Sequence, residues 1–136
     1  MSEKNYDDIS IAIINYNSNK FLSDMFLYLD DLAGVIEINI IDDRSNDGSI
    51  ETLRERYGDK IRITINEKNS GASFTRNYAL RNINKKYLLF LDPDVKINAT
   101  DIFRLIDKRS KADIVFPRID YFNGGTITPV NEFEKQ

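Results

Sequence analysis

The amino-acid sequence predicts an α/β fold, a three-layer sandwich in which helices cover both faces of a mostly parallel central sheet. Short apolar segments rich in Ile, Val and Phe alternate along the chain with longer segments that have helical spacing. The apolar segments are largely unbroken, and such runs are typical of parallel strands that are buried on both faces. The chain of 136 residues has the length of one ordinary domain, so we expect a single domain over residues 1–136.

Five segments have the composition of strands, because β-branched and aromatic residues dominate them. They are residues 9–14, 35–41, 61–65, 87–91 and 114–116. Residues 118–136 contain Gly124, Gly125 and Pro129 but no helical period, so we expect a hairpin or a frayed tail there.

Helical spacing fills the segments between these strands. In the first such segment, one helix face carries the apolar residues Leu22, Met25, Phe26, Leu29 and Leu32. Further helices are predicted over residues 49–57, 72–82 and 100–108. We expect Ser18 or Asn19 to cap the first helix, and Gly34 and Gly58 to end the first and second helices.

The composition excludes several functional classes. The net charge of -3 argues against nucleic acid as the main partner, because such proteins are usually basic. With neither Cys nor His in the chain, disulfides and thiolate or imidazole metal sites are excluded. Metal chemistry therefore falls to carboxylates, which suit Mg²⁺ or Mn²⁺. The first residues are polar and no apolar run is long enough to span a membrane, so we expect a cytoplasmic protein.

Polar residues follow the ends of the first four predicted strands. These residues are Asn15-Tyr16-Asn17 after the first strand, Asp42-Asp43 after the second, residues 66–71 after the third, and Asp92-Pro93-Asp94 after the fourth. The carboxyl ends of parallel strands meet at one edge of a sheet, where open α/β sheets bind their ligands. The polar residues are therefore expected to converge on one site, although they are far apart in sequence.

Four carboxylates, those of Asp42, Asp43, Asp92 and Asp94, would crowd this edge. Like charges repel at short range unless a cation or a hydrogen-bond donor compensates them. A divalent metal that bridges to a diphosphate would provide that compensation, and neither common Gly-rich phosphate loop is present. Taken singly, paired Asp residues often cap a helix, and Asp-Pro-Asp is common in turns. The joint placement is what favours a ligand site.

Four ordered segments resemble the motifs of family 2 glycosyltransferases, which have the GT-A (Rossmann-like) fold. They are ISIAIINYN at residues 9–17, IIDDRSNDG at 40–48, NSGASFTRN at 69–77 and YLLFLDPDV at 87–95. The resemblance implies a GT-A domain that binds a nucleotide diphosphate sugar through a divalent metal, for inverting transfer of the sugar to an acceptor. It favours a UDP-sugar and leaves deoxythymidine and guanosine diphosphate sugars open.

The resemblance also implies roles for individual residues. The implied nucleotide-binding residues are Asn15, Tyr16, Asn17, Asp43, Arg76 and Asp92, with Asp94 as the ligand of Mn²⁺ or Mg²⁺. Tyr16 would stack on the base, and Asp43 would accept a hydrogen bond from it. Arg76 would approach the base or the phosphates, and Asp92 would contact the ribose or the sugar.

Members of the resembled family have a further half, which binds the acceptor and supplies a carboxylate base. No residue here matches that base, although Asp120 is a weak candidate, so the catalytic residues are unknown. We expect the chain to be the donor-binding portion of a truncated GT-A domain, with a saccharide, lipid or protein as acceptor.

The location and self-association of the protein are also expected from the sequence. As part of the full-length protein, we expect the domain to lie in the cytoplasm or at the cytoplasmic face of a membrane. An exposed sheet edge near Phe116 would allow self-association.

Three alternatives stay open at this point. The first is a non-catalytic nucleotide-binding module, which sequence alone does not separate from an enzyme fragment. The second is a nucleotidyltransferase, which would carry a Gly-rich loop after the first strand, whereas residues 15–20 contain no glycine. The third is a receiver-like signalling domain, which would carry its acidic pair after the first strand rather than the second.

Overall fold

The computed structural model describes residues 4–113 and the backbone of residues 119–120 and 126–127. The chain divides into two compact units, Met1–Ile102 and Phe103–Gln136, which we describe separately. The single domain over residues 1–136 stays a prediction.

The first unit is built on a four-stranded sheet in which every neighbouring pair of strands is parallel. The strands are β1 (Ile9–Asn15), β2 (Glu37–Asp42), β3 (Arg62–Ile65) and β4 (Tyr87–Leu91), in the order β3-β2-β1-β4. The four predicted strands in this range are confirmed, with ends that differ by two residues at most. The predicted strand at 114–116, and the self-association edge near Phe116, lie outside the described residues.

Within residues 4–113, an α-helix follows each of the four strands of this sheet, and all four helices were predicted. They are α1 (Leu22–Leu32), α2 (Ser49–Tyr57), α3 (Ala72–Asn82) and α4 (Ala99–Asp107). The bounds of α2 and α3 agree with the prediction, and α4 begins and ends one residue earlier than predicted. At the start of α4, Asn98 caps the helix, because its Oδ1 accepts the Asp101 N–H at 2.8 Å.

The predicted cap of α1 is wrong. A 3-10 turn, Asn19–Phe21, precedes the helix, and Phe21 occupies the cap position without a side-chain hydrogen bond. Ser18 does not cap because its hydroxyl donates to Oδ1 of Asn15 instead. The predicted stop at Gly34 agrees with the structure, in which Ala33 caps the helix and Gly34 follows it with a positive φ of 84°, a conformation that favours glycine.

The core is centred on β1, which lies between β2 and β4 and whose seven residues are all buried. On one face of the sheet, Ala12, Ile14 and Ile41 pack with Ala79 of α3. The alternation of strand side chains places Ile11 and Ile13 on the opposite face, and both are fully buried. Each buried Ile stabilises the fold by ~1.5–3 kcal/mol. This packing gives the loops at the carboxyl end of β1 a rigid base.

In the second unit, two short antiparallel strands pair, β5 (Ile119–Asp120) with β6 (Thr126–Ile127). The pairing falls within residues 118–136, and only its backbone is described. Among the described residues, no helix has the length and apolar character needed to cross a membrane.

One buried group tests the packing of α1. The Tyr28 side chain is fully buried, and in the described part of the chain its hydroxyl has no hydrogen-bond partner. Burial raises the pKa of Tyr28. A buried hydroxyl without a partner costs ~1–3 kcal/mol, so we expect Tyr28→Phe to leave the free energy of unfolding in urea unchanged or to raise it.

The matched control is Tyr57→Phe. The Tyr57 hydroxyl donates to Asp30 Oδ1 at 2.8 Å, so this variant is expected to lose ~0.5–1.5 kcal/mol. A Tyr28→Phe protein destabilised as much as Tyr57→Phe would show that the Tyr28 hydroxyl has a partner.

Candidate functional site

The loops at the carboxyl ends of β1, β2, β3 and β4 enclose a cleft of about 510 Å³ in the first unit. It is lined by Ile14, Tyr16, Ser18, Phe21, Asp43, Asn69, Gly71, Ala72, Arg76, Asp92, Pro93 and Asp94. The cleft opens where β1 and β4 are neighbours in the sheet although they are far apart in sequence. Open α/β sheets bind ligands at such a switch point. The structure thus brings together Tyr16, Asp43, Arg76, Asp92 and Asp94, as predicted.

Tyr16 provides the aromatic surface of the cleft. It follows the last residue of β1, and the residue is 55% exposed. The side chains of Ile14 and Phe21 line the same cleft and add apolar surface. An exposed ring beside apolar neighbours is suited to stack on a flat ligand.

Asn15 and Asn17, which flank Tyr16, do not line the cleft. Asn15 is fully buried, and its Nδ2 donates to Asp42 Oδ1 at 2.9 Å. The Asn17 N–H donates to Ser45 Oγ at 2.8 Å, and Asn17 Oδ1 accepts the Asn46 N–H at 2.9 Å. In the structure these two side chains join the loop after β1 to the loop after β2, rather than facing the cleft.

The two adjacent carboxylates Asp42 and Asp43 point in different directions. Asn15 and Asp42 are register partners, two residues beyond the pair Ile13 and Ile40. The alternation of strand side chains therefore places them on the face opposite α3, away from the cleft. The expected crowding of four carboxylates is corrected to three, because Asp42 is buried and accepts hydrogen bonds from its own loop.

Asp43 faces the cleft and holds the loop after β3. Its Oδ1 accepts from Asn66 Nδ2 at 2.9 Å and from the Ser70 N–H at 2.8 Å, and its Oδ2 accepts from the Gly71 N–H at 2.8 Å. Burial by itself raises the pKa of Asp43, but the hydrogen bonds from Asn66, Ser70 and Gly71 together outweigh burial and lower it. The carboxylate is therefore ionised at neutral pH.

The far side of the cleft carries the remaining charges. Arg76 of α3 donates through Nη2 to Asp92 Oδ1 at 3.1 Å, and both side chains are partly exposed. Asp94 is exposed, and within the described residues it makes no hydrogen bond or ion pair. Across residues 4–113, no group of three or more acidic side chains is arranged to hold a metal ion. A cation here would need most of its oxygen ligands from the substrate or from water.

Sequence reasoning missed the backbone donors of the loop after β3. Gly71 has φ of 91°, a conformation that favours glycine, and no atom outside its immediate neighbours would obstruct a Cβ there. The glycine is thus required by the backbone conformation that aims its N–H at Asp43. The Asn-x-Gly pattern at residues 69–71 was the available signal, but the pattern did not show that its partner is a carboxylate.

The chain is similar to known proteins in both sequence and fold. The model described as Glycosyl transferase family 2 matches residues 10–132. The low-salt glycan biosynthesis hexosyltransferase Agl10 of Haloferax volcanii is 33% identical over 93% of this chain and 40% of its own length. The putative teichuronic acid biosynthesis glycosyltransferase TuaG of Bacillus subtilis is 34% identical over 65% of this chain and 36% of its own length.

Among solved structures, S. aureus TarS 1-349 superposes with a TM-score of 0.59 at 29% identity, over 76% of this chain and 33% of that one. The mannosyltransferase PcManGT from Pyrobaculum calidifontis, solved with GDP-Man and Mn²⁺, has a TM-score of 0.55. It is 18% identical over 71% of this chain and 30% of that one, so it supports the fold alone. The chain spans 40% or less of the length of these curated relatives.

The hydrogen bonds to Asp43 predict a pH dependence of stability. The pKa of Asp43 is lowered in the folded state, so its contribution is fully present above the unfolded pKa of ~3.9. The contribution is lost as the pH falls through the lower, folded pKa. We expect the difference in unfolding free energy between the wild type and Asp43→Asn to be constant above about pH 5 and to shrink in more acidic solution.

Urea unfolding from pH 7 to pH 2.5 measures this difference, as long as both proteins remain folded without urea. Asp31→Asn, an exposed residue of α1, is the control for the loss of one carboxylate. A difference between the wild type and Asp43→Asn that stays constant through this whole range would contradict the assigned hydrogen bonds.

Proposed function

The chain belongs to glycosyl transferase family 2, and we propose that it binds the nucleoside diphosphate sugar that serves as the sugar donor. Its fold is of the GT-A type, with the parallel sheet described above. One observation supports the proposal above the others: an aromatic ring, a cation and three carboxylates line one cleft, although they come from helix α3 and from the loops after β1, β2 and β4. The transfer of the sugar is proposed for the whole protein.

The base is proposed to stack on Tyr16. The ring is exposed at the cleft while the neighbouring backbone is fixed by hydrogen bonds, so little ordering is needed on binding. Stacking of a base on an aromatic side chain contributes ~1–3 kcal/mol and tolerates any base. Stacking therefore supports nucleotide binding but does not select the nucleotide.

The choice of base is proposed to come from Asp43. A carboxylate has about four lone-pair positions, two on each oxygen. Oδ1 already accepts two hydrogen bonds and Oδ2 accepts one, which leaves one position on Oδ2. Uracil presents a single imide N–H, whereas the Watson–Crick edge of guanine presents two neighbouring donor groups. A carboxylate with one remaining position therefore favours a uridine nucleotide, with thymine as the nearest equivalent.

The diphosphate is proposed to lie between Arg76 and Asp94. Arg76 supplies a permanent positive charge, and its present partner Asp92 is partly exposed. Among the residues that the structure describes, Asp94 has no hydrogen-bond or ion-pair partner, and its carboxylate is a hard oxygen ligand that fits Mn²⁺ or Mg²⁺. With one or two protein carboxylates available, such an ion would be shared with the phosphate oxygens. When bound, it would stabilise the negative charge of the departing nucleoside diphosphate.

For the whole protein we propose transfer with inversion at the anomeric carbon of the sugar, to a saccharide, lipid or protein acceptor. Inversion uses a carboxylate base that removes a proton from the acceptor hydroxyl, and we assign no residue of this chain to that role. Asp92 is proposed to contact the ribose or the sugar. The whole protein is proposed to act in the cytoplasm or at the cytoplasmic face of a membrane.

Calorimetric titration with UDP, with and without Mn²⁺, tests the metal part of the proposal. We expect Mn²⁺ to strengthen UDP binding by at least tenfold, about 1.4 kcal/mol. Asp94→Ala is expected to remove this enhancement and to leave the metal-free affinity unchanged or higher, because one negative charge beside the diphosphate is lost and, among the described residues, Asp94 has no partner whose loss would disturb the fold.

Asp31→Ala is the charge-matched control, since it removes an exposed carboxylate of α1 that does not line the cleft. GDP is the control ligand and is expected to bind more weakly than UDP. Asp94 would be removed from the site if its alanine variant kept the full response to Mn²⁺.

A further inference from the structure

Ser45 lies outside the cleft, in the loop after β2, yet its hydroxyl is the point where two loops meet. The hydroxyl donates to Asp42 Oδ1 at 2.6 Å, and it accepts the Asn17 N–H at 2.8 Å and an Asn15 Nδ2 hydrogen at 3.4 Å. A serine hydroxyl has one hydrogen to donate and two lone pairs with which to accept. The bond to Asp42 and the bond from the Asn17 N–H fill two of these positions. The third is filled only in part, because the Asn15 Nδ2 hydrogen that points to it is shared with Ser49 Oγ at 3.3 Å. The bonds connect β1, β2 and both loops.

The buried carboxylate of Asp42 strengthens these connections. Asp42 is 1% exposed, and it also accepts from the Ser45 N–H at 2.9 Å and from Asn15 Nδ2 at 2.9 Å. Hydrogen bonds to an ionised group are shorter and stronger than neutral ones. Donation to the carboxylate also polarises the Ser45 hydroxyl, which makes it a better acceptor for the Asn17 N–H.

Both chain neighbours of Tyr16 are held by this group. Asn15 is the register partner of Asp42, and its carbonyl accepts the Asp43 N–H at 2.9 Å. Asn17 has φ of 47°, a left-handed conformation that a residue other than glycine adopts at some cost. The hydrogen bond from the Asn17 N–H to Ser45 helps to hold that conformation. The exposed ring of Tyr16 is thus placed by a buried hydrogen bond at Asn15 and a partly buried one at Asn17.

We propose that Ser45 is a positioning residue for nucleobase recognition: its hydroxyl fixes the stacking ring of Tyr16 relative to the acceptor oxygen of Asp43. The inference rests on the proposed function. In this proposal the two adjacent acids have different roles, because Asp42 orients Ser45 whereas Asp43 faces the base. Ser45 itself touches no ligand.

The test separates recognition of the base from recognition of the diphosphate. Ser45→Ala is titrated with UDP and with inorganic pyrophosphate, each in the presence of Mn²⁺. We expect the affinity for UDP to fall about tenfold and the affinity for pyrophosphate to stay within about twofold, because Arg76 and Asp94 lie outside the Ser45 group. Ser23→Ala, an exposed serine of α1, is the matched control and should bind both ligands as the wild type does.

A second measurement needs no ligand. Amide hydrogen exchange is followed in the free protein, where the Asn17 N–H loses its acceptor in Ser45→Ala and is expected to exchange at least about tenfold faster. The amide of Ile13, in the buried strand β1, serves as the internal reference for global opening. If Ser45→Ala does not fold, Ser45→Cys tests the same connection, because a thiol is only a weak donor and acceptor and therefore weakens the bond from the Asn17 N–H while largely keeping the shape of the side chain.

The two measurements distinguish the possible failures. Wild-type affinity for UDP in the Ser45→Ala protein, or an equal loss of UDP and pyrophosphate binding, would overturn the positioning role. If the wild type does not bind UDP at all, the proposed function fails and takes the recognition role with it. The exchange rate of Asn17 then still decides whether Ser45 joins the two loops.

Discussion

The parallel pairing of β1 with both β2 and β4 is the constraint on which the site depends. The three strands end at one edge of the sheet, so the residues that follow them must lie side by side. Because β1 is buried along its whole length, this edge cannot shift without exposing the core. Tyr16, Asp43 and Asp92 are brought together by this pairing rather than by any local signal, although they are widely separated in sequence.

The charges at that edge explain why a metal-assisted ligand suits it. Asp43, Asp92 and Asp94 line the cleft together with one cation, Arg76, so the lining carries an excess of negative charge. Asp43 is satisfied by three hydrogen bonds, and Asp92 is paired with Arg76. Asp94 is left with an uncommitted carboxylate in the described part of the chain. A diphosphate alone would add further negative charge, whereas the two charges on the diphosphate of a nucleotide sugar would be balanced by one divalent cation.

Much of the fold could be predicted because the apolar pattern of each segment is local. The helices over 49–57 and 72–82 agree with their predicted bounds, and the family match over residues 10–132 favours the glycosyltransferase over the receiver-like alternative. Side-chain direction at the strand ends was harder to predict. The side chains of Asn15 and Asp42 point away from the cleft because of the register in which β1 pairs with β2, and these two residues are 27 positions apart in the sequence. Ser18 donates a hydrogen bond to Asn15 instead of capping α1. Such contacts require the folded sheet.

The central claim is that a metal–nucleotide complex binds where the loops after β1 and β4 meet. Amide NMR spectra of the chain with saturating UDP and a trace of paramagnetic Mn²⁺ test it directly, with Mg²⁺ as the diamagnetic reference. We expect broadening to be strongest for Asp92, Asp94 and their neighbours, and to extend to Gly71 and Arg76 across the cleft. Broadening centred elsewhere, for example on the acidic end of α1 at Asp30 and Asp31, would contradict it.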